Sequence, residues 1–265
     1  MRFWFLIIWG SLFYSCNTPV EKKIPGLPKI ISVSITQTDG PDCHLPDSLQ
    51  QNCAHIDLHW AQVLEGPESL KQQVHFWTTS FLTTMLDPAI SFEVIPVYTI
   101  DSAVAAFKRL HQDWIKEAPA LAVGNFAADC IDSVLFLTDN YLTLQLNGYT
   151  YTGGAHGLPQ TAVQTFALPS GKPLGWADLV TDSLSLQTLA EQKFRQERAN
   201  IFEPDEEGNP GFGFDDTFVF KLPDQYGLVP QGLFLFYNYY EVTPYALGST
   251  ALIITHEELG ALRKY

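Results

Sequence analysis

The stretch IDSVLFLTDNYLTLQLNGY, residues 131–149, decides the fold. Two β-prone runs, 131–137 and 141–149, flank the polar triplet Thr138-Asp139-Asn140, which is the pattern of a hairpin. Working outward toward the C-terminus, residues 161–168 continue the sheet and Pro169-Ser170-Gly171-Lys172 reads as a turn. Toward the N-terminus, residues 29–38 alternate, with Ile31, Val33 and Ile35 set against Ser32, Ser34 and Thr36. Residues 55–63 alternate as well, with Ile56, Leu58 and Trp60 on one face. Helical spacing then takes over: Leu70, Val74, Trp77, Phe81 and Met85 predict a helix over 68–85, stopped by Asp87-Pro88. A strand is expected over 92–99. Asp101 caps a second helix whose inner face is Val104, Phe107, Leu110 and Trp114, closed by Ala118-Pro119. A third helix spans 184–198 with Leu186, Leu189, Ala190 and Phe194 inward, and an acidic Gly/Pro-rich loop follows at 204–213. Three β-prone runs, 218–222, 232–237 and 250–255, and a short helix at 256–263 close the chain. Strands come in runs joined by turns, without strict βαβ alternation. The expected class is therefore α+β: largely antiparallel sheets with helices packed on them, in two subdomains.

Composition sets the outer bounds. The chain has 265 residues, 46% hydrophobic, 13% aromatic and 17% charged, which excludes an intrinsically disordered protein. A mean hydropathy of +0.01 and a single apolar run at the extreme N-terminus exclude a polytopic membrane protein. Lys and Arg number 15 against 29 Asp and Glu, for a net charge of −14. That surface repels phosphate backbones, so no nucleic-acid partner is expected, and a cationic partner is physically easier.

The N-terminus reads as an address. Arg2 precedes the apolar run FWFLIIW at residues 3–9, which continues to Tyr14 and is too short to span a bilayer comfortably. It ends at Ser15-Cys16, which resembles the lipobox of bacterial lipoproteins, with Phe13 and Tyr14 standing where that motif has Leu and a small residue. In lipoproteins the signal peptidase cuts before the Cys, which then carries lipid; an ordinary signal cleaved nearby is the other reading. Residues 17–28, with Pro19, Pro25 and Pro28, read as a tether. In an oxidising compartment Cys43 and Cys53 close a short loop as a disulfide, worth on the order of 2–3 kcal/mol by loop-closure entropy. Cys130 is left over in an apolar-flanked run and reads as a buried, inert thiol.

Chemistry concentrates in GYTYTGGAHG, residues 148–157. Tyr149 and Tyr151 alternate onto one face, Gly153 and Gly154 permit positive φ or a close backbone approach, and His156 adds a titratable, hydrogen-bonding ring. The segment is either a pocket where backbone and His156 meet a ligand or a bulged strand end with a satisfied histidine. Near the C-terminus Tyr237, Tyr239, Tyr240 and Tyr245, with Pro244 and Gly248, concentrate rigid amphipathic rings. These rings suit a binding surface, or else pack the sheet and its edge. His55, Asp57 and His59 alternate onto one strand face and would ligate zinc with His44 or an acid as fourth ligand, although a polar outer face explains them too. The acidic run 203–207 lacks the spaced oxygens of a calcium loop. No GxSxG, HExxH, P-loop or dinucleotide fingerprint occurs, and no cofactor or metal is expected. Asp178 or Glu241 could pair with His156 only in a glycan-hydrolase reading.

Several of these residues carry a resemblance. Gly153-Gly154-Ala155-His156, then Thr165-Phe166-Ala167-Leu168-Pro169-Ser170-Gly171-Lys172-Pro173-Leu174 and Ala177-Asp178-Leu179, resemble the RsiV/PdaC-like family of bacterial cell-envelope domains of unknown function. Gly227-Leu228 and the run from Phe236 to Gly248 are similar to its C-terminal signature. The same module makes up the extracellular part of an anti-sigma factor that senses lysozyme, and related sequence precedes the catalytic domain of a peptidoglycan deacetylase. The resemblance covers roughly residues 30–262. It implies a pair of α+β subdomains and an extracytoplasmic place. Neither anti-sigma nor deacetylase activity is expected to carry over to this sequence.

The combined expectation divides the chain into a signal peptide (1–15), a lipid-anchor tether (16–28), an N-terminal subdomain (29–158) and a C-terminal subdomain (159–265). It describes a non-catalytic lipoprotein, membrane-attached only through lipid on Cys16, that binds a cell-envelope macromolecule. That partner is a cationic protein such as lysozyme, or peptidoglycan. The candidate binding residues are Tyr149, Tyr151, Gly153, Gly154, His156, Tyr237, Tyr240, Pro244 and Tyr245. The alternative is a cell-wall glycan hydrolase using His156 with a carboxylate.

Overall fold

In the computed structural model of the chain, residues 26–87, 99–117, 124–203, 211–213 and 218–265 are described. The strands are β1 (Lys29–Asp39), β2 (Ala54–Glu65), β3 (Phe126–Leu137), β4 (Tyr141–Tyr151), β5 (Leu158–Ala167), β6 (Gln225–Val229), β7 (Gly232–Tyr237) and β8 (Thr250–Thr255). The helices are α1 (Glu68–Leu86), α2 (Ile100–Glu117), α3 (Trp176–Leu179), α4 (Ser183–Glu197), α5 (Ala199–Phe202) and α6 (His256–Leu259). A five-stranded sheet in the order β1-β2-β3-β4-β5 and a three-stranded sheet in the order β6-β7-β8 make the chain an α+β protein. Every pairing is antiparallel except β2 with β3, which α1 and α2 separate in sequence. The expected signal peptide, Cys16, most of the tether, residues 92–98, the Ala118-Pro119 stop and residues 204–210 lie outside the described residues.

The central hairpin forms because its turn is chemically equipped. Thr138 N donates to Tyr141 O, and Thr138 Oγ1 accepts from the backbone N of Asn140 and Tyr141. Leu142, Leu144 and Leu146 of β4 then share one face and meet α1, which buries Leu70, Val74, Leu82 and Met85 against them. α1 stops after Leu86, where Asp87 turns extended ahead of Pro88. Cys43 and Cys53 form a disulfide in the β1–β2 connection. Cys130 is free and buried, and burial pushes its thiol up to about 12, which keeps it protonated and unreactive.

Two expected elements differ. The inner face of α2 is Ile100, Ala103, Val104, Phe107 and His111, while Leu110 and Trp114 sit at the rim, more than a third exposed. His111 takes the interior place because its Nε2 pairs with Gly124 O and its ring lies 5.0 Å from Phe126. Residues 218–222 form no strand, although Phe220 is buried in the C-terminal core. The strand is β6, three residues on, past Pro223, whose missing N–H breaks any ladder there.

β5 ties the two sheets. The expected join between residues 158 and 159 falls at its first residues, and β5 pairs along its length with β4 in the larger sheet. Its other edge is capped by side chains of the C-terminal half. Thr161 N donates to Asn238 Oδ1 at 2.8 Å, and Val163 N donates to Gln225 Oε1 at 3.0 Å. β6 crosses close by: a Cβ on Gly227 would lie 2.7 Å from Thr143 Cγ2 and 2.9 Å from Val163 Cγ1. Only glycine lets that backbone approach, and the exposed edge that would invite another strand is covered.

Candidate binding site

The seam between the two halves brings together the two motifs that lie about ninety residues apart in sequence. β4 ends in Tyr149 and Tyr151, and the chain reverses through Gly153 and Gly154, whose φ values of 93° and 99° lie in the region that glycine alone enters freely. Tyr151 hydroxyl donates to Gly154 O at 3.0 Å and closes the turn. Gly157 follows in a close approach: a Cβ there would meet the Tyr149 ring at 2.3 Å, so only glycine leaves room for that ring.

The second motif arrives from the end of β7. Asn238 holds it with both arms of its amide, accepting from Thr161 N and donating to Thr161 O at 3.0 Å. Tyr245 then donates its hydroxyl to Gly157 O at 2.9 Å. The His156 ring stacks on Tyr245, centroids 3.7 Å apart and 18° from parallel, with His156 Nδ1 at 3.0 Å from the same Gly157 O. Tyr239 and Tyr240 stand 4.7 and 5.7 Å from Tyr245. Desolvation, reinforced by the neighbouring Tyr239, Tyr149 and Tyr240, pushes the Tyr245 hydroxyl above its ordinary range. The result is a continuous aromatic surface on which His156 and Tyr240 are exposed.

Tyr240 is the strained member. Its φ is 69°, in the left-handed region a bulky side chain enters at a cost of order 1–3 kcal/mol, and it is 60% exposed. Nothing in the core gains from that ring.

Of the candidate binding residues, Tyr149, Tyr151, Gly153, Gly154, His156, Tyr240 and Tyr245 converge here, with Pro244 immediately before Tyr245. Tyr237 does not: it is 1% exposed and packs against Phe194 and Phe220 in the C-terminal core. Sequence reading missed three participants. Trp114, assigned to the helix interior, stands beside the turn: a Cβ on Gly153 would lie 3.7 Å from its ring. Gly157 and Asn238 sat inside the quoted motifs, but nothing in a single sequence distinguishes a glycine under a ring or an amide that clamps a backbone.

The remaining constellations are engaged elsewhere. Asp178 accepts from Gly175 N at 3.0 Å and from Lys172 Nζ at 2.6 Å, and the lysine holds its carboxyl below the usual range. It organises the start of α3. His55, Asp57 and His59 do share a face of β2, yet His55 contacts Gln50 Oε1 and His59 lies 3.3 Å from Asp57, which also accepts from Thr36. Among the described residues no group of three or more His, Cys, Asp or Glu is placed to hold a metal. No helix among the described residues is long and apolar enough to cross a membrane.

Two unequal sheets joined along a polar seam, with aromatic rings gathered where the seam opens, make this an α+β protein. Residues 177–257, from α3 into α6, match the protein family described as a protein of unknown function, DUF3298. The chain is similar in fold to a solved member of that family from Bacteroides fragilis, with a TM-score of 0.66 and 18% identity over 91% of this chain and 95% of that one. It is also similar to a DUF3298 family protein from Pseudomonas aeruginosa, with a TM-score of 0.59 and 18% identity over 89% of this chain and 95% of that one. No curated protein matches it.

Proposed function

We propose that the chain is an exported, lipid-anchored binding protein of the RsiV/PdaC-like kind. It holds a cell-envelope macromolecule on the aromatic surface at the seam and breaks no bond. The observation that carries this reading is the His156–Tyr245 stack, which joins the Gly-Gly-Ala-His turn to the tyrosine segment in one exposed surface. Tyrosine gives large contact area at low entropic cost, and interface hot spots are enriched in it. A net charge of −14 steers cationic partners toward such a surface, so a cationic envelope protein such as lysozyme is favoured over the glycan. Export is supported by the N-terminal signal with Cys16 and by the Cys43–Cys53 disulfide, which persists in an oxidising compartment.

The test is retention. The immobilised protein is challenged with lysozyme and, separately, with sedimented peptidoglycan, alongside Tyr245→Ala and His156→Ala. Lysozyme is expected to be retained by the wild type and lost at least tenfold by Tyr245→Ala. Retention of neither ligand, or equal retention by the variants, overturns the reading. Release of soluble fragments from peptidoglycan, abolished by His156→Ala, would replace it with the hydrolase.

A further inference from the structure

Beside the aromatic surface the segment Tyr240–Pro244 turns inward and becomes the wall of two adjoining clefts. The larger, about 730 Å³, is lined by Phe218, Leu222, Asp224, Tyr237, Glu241 and Val242 among others. The smaller, about 250 Å³, shares Glu241 and Val242 and reaches Tyr240 and Pro244. The clefts therefore open onto the proposed binding surface through a single strip of chain.

The polar groups in the larger cleft are unbalanced. Glu241 keeps an exposed edge, but desolvation pushes its carboxyl above the ordinary range despite hydrogen bonds from Asn238, and the like charge of Asp224 pushes it further. Below it the Tyr237 hydroxyl, on a side chain 1% exposed, has no hydrogen-bond partner among the described residues. A buried hydroxyl left unpaired costs about 1–3 kcal/mol, so the position calls for a polar group from outside. Burial first, and then the negative charge of Glu241 and Glu191, disfavour ionisation of the hydroxyl, which stays protonated with its oxygen able to accept. The remaining walls, Phe218, Val219, Leu222, Pro223 and Val242, are apolar. Lys221 is exposed at the same cleft, the one cation among the described lining residues, and does not close an ion pair with Glu241.

We propose that this cleft takes the cationic tip of a long aliphatic side chain from the bound partner: an ammonium or guanidinium donating to Glu241 and Tyr237, with its methylene stem along Phe218, Leu222 and Val242. Lysine and arginine are built this way, an apolar stem carrying a charged head, and an aromatic wall favours the cation further. Placing the head between Glu241 and Asp224 relieves the repulsion that raises the Glu241 carboxyl and gives the Tyr237 oxygen a donor. The inference deepens the binding reading above and rests on it for the identity of the partner, but the cleft chemistry stands on its own probe.

The experiment is saturation-transfer NMR on the purified full chain in detergent. The probes are Nα-acetyl-lysine methylamide, its arginine counterpart and the uncharged Nα-acetyl-norleucine methylamide. The two cationic probes are expected to bind at least tenfold more tightly than norleucine, and comparison of the two identifies the preferred head. Glu241→Gln is expected to weaken the cationic probes at least tenfold and Asp224→Asn about threefold, with Asp139→Asn, in the distant β3–β4 turn, as a charge-matched control without effect. Equal binding of norleucine, no saturation transfer at all, or Glu241→Gln within twofold of wild type overturns the proposal. Should Glu241→Gln fail to fold by circular dichroism, Asp224→Asn and Tyr237→Phe decide the same question. Loss of lysozyme retention in Tyr245→Ala with intact probe binding would sustain both readings. Probe binding without any macromolecular partner would leave the cleft standing and sink the surface reading.

Discussion

The two faces of β4 and β5 are held by opposite chemistry. One face presents Leu142, Leu144, Leu146 and Phe166 to the apolar residues of α1. The other receives β6 and the end of β7 through Thr143, Thr161, Thr165 and the bare backbone of Gly227. There Thr143 and Thr165 share a hydrogen bond of 2.9 Å, and Leu228 N donates to Thr165 Oγ1 at 2.9 Å. The first face supplies stability, because apolar burial is large and undirected. The second supplies geometry, because each hydrogen bond fixes a distance and an angle while contributing modestly. The candidate site lies at the end of the second face, where small errors in placing Asn238 would part Tyr245 from Gly157.

The contrast is broken most forcefully on the apolar side. Leu144→Ala removes a fully buried side chain from between β4 and α1 and is expected to cost about 3 kcal/mol, read as a lowered urea midpoint with unchanged slope. Because the seam is untouched, the folded fraction should still retain lysozyme. Loss of retention at temperatures where the variant is folded would show that the two faces are not independent.

Asn238→Ala attacks the other side. It strips Thr161 N and O of their partners at the capped edge of β5, at an expected cost of about 2 kcal/mol. Its distinguishing sign is in function: retention should fall at least tenfold in protein that is still folded by circular dichroism. A stability loss with full retention would mean that Tyr245 and its bond to Gly157 hold the surface without the clamp.

The same contrast explains what the sequence alone could and could not reveal. Periodicity reported the apolar face faithfully: the hairpin, α1, α4, β7 and β8 fall where their patterns predict, because burial on one face leaves a trace at every second or fourth residue. The seam leaves no such trace. β6 was invisible because Gly227, needed for close approach, weakens its strand signal, while 218–222 is richer in β-formers but lacks a partner. In the site, the tyrosines and the Gly-Gly-Ala-His turn were conspicuous by composition. Tyr237 was nevertheless misplaced at the surface, since alternation along β7 sends it inward with Leu233 and Leu235. Trp114 lies at the rim of α2 and His111 inside it, paired with the Gly124 carbonyl, a partner that no local pattern encodes.

Tyr240 sharpens the comparison at a single position. Its positive φ is tolerated at the rim of the seam, where the ring is exposed and packs no core. Tyr240→Gly should leave stability unchanged or raise it by up to about 1 kcal/mol by relieving strain, offset in part by the freedom glycine gains when unfolded. Lysozyme retention should fall severalfold at the same time. Destabilisation by more than 1 kcal/mol would assign the ring to packing and remove it from the binding surface.

Acidity separates the two halves by sign, and this is the smallest effect expected. In the N-terminal half, burial holds the His111 imidazole below its ordinary value of 6.5, against the weaker upward pull of Gly124 O and Asp39. The unfolded chain therefore takes up that proton first as pH falls. The stability is fully present above pH 6.5 and is lost as pH drops through the lowered folded value. In the C-terminal half the raised Glu241 carboxyl runs the other way. The folded state holds its proton longer, so its contribution is fully present below the ordinary carboxylate value of 4.5 and is lost as pH rises through the raised folded value. His111→Gln keeps a donor toward Gly124 O and removes the titration. The unfolding free energy of the wild type should therefore fall relative to His111→Gln between pH 7 and pH 5. A difference that stays flat across that range would mean His111 protonates without leaving its place, and that the buried side of α2 admits a charge as readily as the seam does.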